Sequence, residues 1–101
     1  MDQIAREFGE RVRQALGPHL KELILFGSRA RGDARPDSDY DVLVVLDERT
    51  KALRETVLDV KFDLLTRYDA LFGCLYRSAD EWRRMDGFPL ARNIVRDGVR
   101  L

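Results

Sequence analysis

Two apolar runs, one ending in Gly-Ser and the other opening on paired acids, constrain this chain more than anything else in it. Leu23-Ile24-Leu25-Phe26 leads straight into Gly27-Ser28. After the polar loop Arg29 to Ser38, the chain reads Asp39-Tyr40-Asp41 and then Val42-Leu43-Val44-Val45-Leu46. Short apolar runs bounded by turn residues suit strands buried on both faces. A strand that ends in Gly-Ser turns sharply and directs a hydroxyl and free backbone amides at one point, an arrangement that suits an anion. The second strand carries acids only at its start.

Residues i and i+2 of a strand project from one face, roughly 6–7 Å apart along the chain. Asp39 and Asp41 therefore look the same way and Tyr40 looks the other way. Two ionised carboxylates so close, beside apolar strand, repel and raise each other's pKa unless a cation sits between them. Paired hard oxygen ligands next to an anion-binding turn favour Mg²⁺ carrying a nucleoside triphosphate.

The remaining segments read as helices and one more strand. Ile4, Phe8, Val12 and Leu16 recur at helical spacing up to Gly17-Pro18, which ends an amphipathic helix and leaves His19 in a turn. Strands are expected at about 22–26 and 40–46. Residues 51–68 admit two readings. As a helix, Leu53, Val57, Val60, Leu64 and Tyr68 share a face; as a strand, Leu58, Val60, Phe62 and Leu64 alternate with charged residues. Eighteen residues without Gly or Pro favour the helix. The third strand then falls at 70–76. Ser78 with Glu81 forms a capping box before Trp82 and Met85. Pro89 opens a last helix that stops at Gly98. The whole reads as an α/β (α+β) chain, a small mixed sheet of three to four strands with helices packed on it.

The length, 101 residues, suits one domain spanning 1–101 with a single modest core. Eighteen basic residues balance 18 acidic ones, so the broad positive field that drives nucleic-acid binding is missing. The basic loop residues Arg29, Arg31 and Arg35 fit a triphosphate better than a duplex. One cysteine, Cys74, excludes an internal disulfide. No segment has the length and apolarity of a membrane span, and the N-terminus lacks a signal-peptide core, so a cytoplasmic protein is expected.

The segment ILFGSRARGDARPDSDYDVLVVLD resembles the signature of the DNA polymerase β-type nucleotidyltransferase superfamily. It is most similar to that superfamily's minimal nucleotidyltransferases. Gly27-Ser28, Arg31-Gly32, Ser38 and both acids fall in register, and the tail Pro89 to Val99 is similar to that of stand-alone members. The resemblance implies that Gly27 and Ser28, with Arg29 and Arg31 beside them, hold the triphosphate of ATP or another nucleotide. It implies that Asp39 and Asp41 are the catalytic Mg²⁺ ligands. It also implies transfer of a nucleoside monophosphate, AMP above all, to a hydroxyl of a partner protein. Minimal members are often the antitoxin of a HEPN-domain ribonuclease, so a HEPN protein is the expected partner. A second copy of the chain is the alternative source of the acceptor surface.

That superfamily generally adds a third acid on the neighbouring strand. A strand at 70–76 supplies none; Asp63 would serve only if 57–65 were the strand, and Asp69 stands at the strand entrance. A catalytically degenerate subunit that binds or masks its partner is therefore the competing expectation.

Overall fold

A computed structural model describes residues 2–101. Helix α1, Gln3–Leu16, is capped by Asp2, whose carboxylate accepts from the Ala5 amide at 2.8 Å. A 3-10 turn over Gly17–His19 leads into strand β1, Leu20–Phe26. The chain then makes one helical turn, α2, Ser28–Arg31, before strand β2, Tyr40–Leu46. Helix α3, Lys51–Tyr68, crosses over to strand β3, Phe72–Ser78. Helices α4, Ala79–Arg84, and α5, Pro89–Asp97, precede the two-residue strand β4, Val99–Arg100.

The sheet runs β3-β2-β1-β4. Strand β1 is antiparallel to both β2 and β4, whereas β2 and β3 are parallel. A parallel neighbour requires a long crossover, and α3 is that crossover. Its length settles the two readings of 51–68 in favour of the helix. The alternation Leu58, Val60, Phe62, Leu64 arises because α3 is apolar on more than one side. Val57, Val60 and Leu64 are buried, while Leu58 and Phe62 remain 42% and 59% exposed. The third strand starts two residues later than the 70–76 expected, because Asp69 caps α3 in a left-handed conformation with φ 54°. The expected capping box of Ser78 and Glu81 forms, with both reciprocal bonds present.

Both faces of β2 are covered, as its unbroken apolar run requires. On one face Leu23, Leu25, Tyr40, Val42 and Val44 pack against α1 and α3. Phe72 lies between Phe8 and Tyr40, stacked at centroid distances of 4.2 and 4.4 Å. On the other face Ile24, Leu43 and Val45 meet Ile94 of α5, with Trp82 and Leu75 at the margin. Trp82 thus serves in packing. Among the described residues no helix is long and apolar enough to cross a membrane.

Candidate active site

Strand pairing brings three remote parts of the chain to one end of the sheet. Phe26 at the end of β1 pairs with Asp41, so Gly27 begins its turn against the Asp41 carboxylate. Asp41 pairs on its other side with Gly73 of β3. The acid therefore stands between two glycines. A Cβ on Gly27 would lie 2.4 Å from Asp41 Oδ2, whereas one on Gly73 would lie an ordinary 3.8 Å from Oδ1. Gly27 also has φ 72° and ψ −158°, a conformation open essentially to glycine alone. Both its backbone and its missing side chain are thus required where turn and acid meet.

Ser28 opens α2, and the amides of Ala30 and Arg31 both fold back onto the Gly27 carbonyl at 3.1 Å. The first amides of any such turn have no intrahelical acceptor. Arg31 is exposed and pairs with Asp33, Nε to Oδ2 at 3.3 Å. Its charge also bears on Asp41 and on Asp97 at the end of α5. Asp97 was not foreseen from sequence, since only the tertiary fold carries α5 to the site.

Asp39 is exposed and lies one residue before β2, so the strand begins at Tyr40 rather than at the first acid. Tyr40 faces the opposite side and is buried, and its hydroxyl donates to Asp2 Oδ2 at 2.8 Å. Burial and then that partner push the Tyr40 phenol up to about 12. Burial, followed by the charge of Asp39, raises the Asp41 carboxyl above its ordinary range, while Arg31 opposes the shift. The coupling between the acids is the electrostatic cost that the sequence implies for an empty pair.

Arg29 turns to the Tyr40 side of the strand. Its guanidinium stacks on Tyr40 at 4.4 Å and donates to the carbonyls of Ser38 and Pro36. Arg35 contributes its backbone amide to Ser38 Oγ, which closes the loop. A pocket of about 170 Å³ opens beside Asp39, with Arg29, Asp37 and Asp69 in its walls.

Two further acids, Asp63 and Asp47, have different surroundings. Asp63 is on α3, ion-paired with Arg11 and Arg67. The Asp47 carboxylate accepts from the His19 ring Nδ1 at 2.9 Å, far along β2 from Asp41. Gly73 is therefore the residue beside Asp41 on the neighbouring strand. The sequence showed that β3 carries no acid, yet the identity of the facing residue depends on register, which periodicity does not give.

Among the described residues no three His, Cys, Asp or Glu side chains form a metal cage. Mg²⁺ is commonly held by one or two carboxylates, with substrate phosphates and water completing its shell. Asp39 and Asp41 fit that donor set.

Residues 2–84 match the nucleotidyltransferase domain family, and the chain belongs to it. It is 28% identical over 97 residues to "Putative protein adenylyltransferase MJ0604" of Methanocaldococcus jannaschii, covering 96% of this chain and 93% of the relative. Among solved structures, one described as a "putative minimal nucleotidyltransferase" aligns with a TM-score of 0.64 and 27% identity, over 100% of this chain and 97% of that one. The fold is shared as well with a complex of a tri-AMPylated Shewanella oneidensis HEPN toxin and its MNT antitoxin. There the TM-score is 0.59 at 18% identity, over 99% of this chain and 71% of the other.

Proposed function

We propose that residues 1–101 act as one minimal nucleotidyltransferase domain that moves AMP from Mg²⁺–ATP to a hydroxyl of a partner protein. The observation that carries this reading is the contact of turn and acid: a single Cβ at Gly27 would strike Asp41 Oδ2 at 2.4 Å. A phosphate held by Ser28 and the turn amides would then lie beside a cation held by Asp39 and Asp41. Arg31 adds positive charge to the same side of the site. Mg²⁺ bound there would neutralise the triphosphate and make its α-phosphorus more electrophilic. The acceptor hydroxyl oxygen bonds to that phosphorus as the bond to pyrophosphate breaks, and the hydroxyl proton passes to solvent.

In this reading the acceptor hydroxyl belongs to another chain. The adenylyltransferase name of the M. jannaschii relative and the AMPylated HEPN toxin of the shared-fold complex favour a HEPN-domain partner in a cytoplasmic toxin–antitoxin pair. A second copy of this chain is the other candidate.

Gly73 supports one competing reading. With no carboxylate opposite Asp41 on β3, the chain lacks a side-chain base there, and a subunit that binds nucleotide and masks its partner fits the same geometry. Incubation with α-labelled ATP, Mg²⁺ and a HEPN-domain protein encoded beside its gene separates the two. Label on the partner is expected. Bound nucleotide without label selects the masking subunit. Binding that survives in Asp39→Ala and Asp41→Ala alike defeats both.

A further inference from the structure

We infer that Arg29 is a positioning residue for the cation ligand Asp39 and does not itself hold phosphate. The inference rests on the reading of Asp39 and Asp41 as cation ligands and assigns a task that reading left open.

Three hydrogen bonds and an aromatic ring engage the Arg29 guanidinium. Nε and Nη2 both donate to the Ser38 carbonyl, at 3.2 and 2.8 Å, and Nη2 also reaches the Pro36 carbonyl at 3.1 Å. Its plane lies over the Tyr40 ring, 4.4 Å from the centroid. The Ser38 carbonyl belongs to the peptide that joins Ser38 to Asp39. Two donors on one oxygen fix the orientation of that peptide. On the other side of Asp39, the Tyr40 amide donates to the Leu71 carbonyl at 2.9 Å. Asp39 is exposed and lies outside the strand ladder, yet the peptides before and after it are both tethered.

The direction of the side chain completes the argument. Tyr40 and Asp41 are consecutive in β2 and project from opposite faces. Tyr40 belongs to the α1 and α3 side, with its hydroxyl on Asp2. Arg29 stacks on that ring, whereas the charge that acts on Asp41 is that of Arg31. Lys could supply a charge at position 29 but not a planar fork that serves two carbonyls and an aromatic face together.

The test is Mn²⁺ binding, followed by the loss of free-ion spin-resonance signal, with and without inorganic tripolyphosphate. For Arg29→Ala, affinity for Mn²⁺ alone is expected to fall about tenfold, the usual loss when a group that orients a metal ligand is removed. The same factor should recur with tripolyphosphate present. Arg29→Lys should fall nearly as far despite keeping its charge. A loss seen only with tripolyphosphate, or full recovery in Arg29→Lys, would show a phosphate ligand and overturn the inference. Unchanged Mn²⁺ affinity with a lowered melting temperature would overturn it in favour of a purely structural residue. If Arg29→Ala does not fold, Arg29→Lys decides alone by the same criterion. A wild-type chain that binds no Mn²⁺ at all removes instead the cation reading beneath it.

Discussion

At Asp41, burial and the charge of Asp39 both oppose ionisation, and Arg31 favours it. A carboxyl whose folded-state pKa lies above its unfolded value binds its proton more tightly in the native state. Its contribution to stability is therefore present below the unfolded value and is lost as pH rises through the folded one. The contribution of Asp41 to the stability of the metal-free protein should therefore fall as pH climbs out of the ordinary carboxylate range, against the opposite trend of Asp47, Glu81 and Asp97, whose carboxyls are shifted down. Asp41→Asn should flatten that slope and raise the melting temperature at neutral pH, while Mn²⁺ binding disappears. Thermal melts across pH, with and without Mn²⁺, check both halves. Equal melting of wild type and variant at every pH would refute the electrostatic cost. Gly27→Ala addresses the same contact from the turn. It forces a non-glycine residue into a conformation costing about 1–3 kcal/mol, with its Cβ against Asp41 Oδ2. Urea unfolding should show that loss, and metal binding should fall with it.

Helix α3 shows what an element adds beyond its residues. Asp63 would be a metal ligand on a strand; on the helix it is a partner of Arg11 and Arg67 on the outer surface. Exposed pairs of this kind contribute about 0–1 kcal/mol. Asp63→Ala is thus expected to shift the urea midpoint slightly and to leave Mn²⁺ and nucleotide binding unchanged; loss of either would put Asp63 in the site. The elements themselves were largely legible in the sequence, because caps and breakers are local: Gly17-Pro18, Ser78 with Glu81, Pro89 and Gly98 all act within one turn of the residues they govern. The nearness of Gly27 to Asp41 is legible for the same reason, since one strand-loop-strand unit contains both. What the sequence did not reveal depends on distance along the chain. The charge of Arg29 is visible in the sequence, whereas the carbonyls and ring that engage it are not. Asp2 and Asp97 reach the neighbourhood only through the packing of α1 and α5.

The sheet order is what places Gly73 beside Asp41. Strand β3 is parallel to β2 and follows it through α3, so the residue facing Asp41 is fixed by how far α3 carries the chain and by the left-handed cap at Asp69. Gly73 itself needs no glycine backbone, since its φ is not positive and an added Cβ would meet only ordinary contacts. A side chain there would rise on the same face as Asp41, because neighbours in register share a face. Gly73→Asp consequently places a third carboxylate beside the pair without disturbing the fold by steric means. In the absence of metal the new charge adds to the repulsion between Asp39 and Asp41, and the melting temperature at neutral pH should drop. With Mn²⁺ present a third hard oxygen ligand becomes available, so affinity should rise about tenfold and the lost stability should return. The two effects have opposite signs from one substitution, which separates ligation from ordinary destabilisation. A variant that melts lower both with and without Mn²⁺, and binds the ion no more tightly, would mean that Gly73 does not border the cation. If affinity rises as expected, the same variant assayed with α-labelled ATP distinguishes the two readings of the chain. A transferase short of one ligand should label its partner faster, whereas a masking subunit should hold nucleotide more tightly and still transfer none.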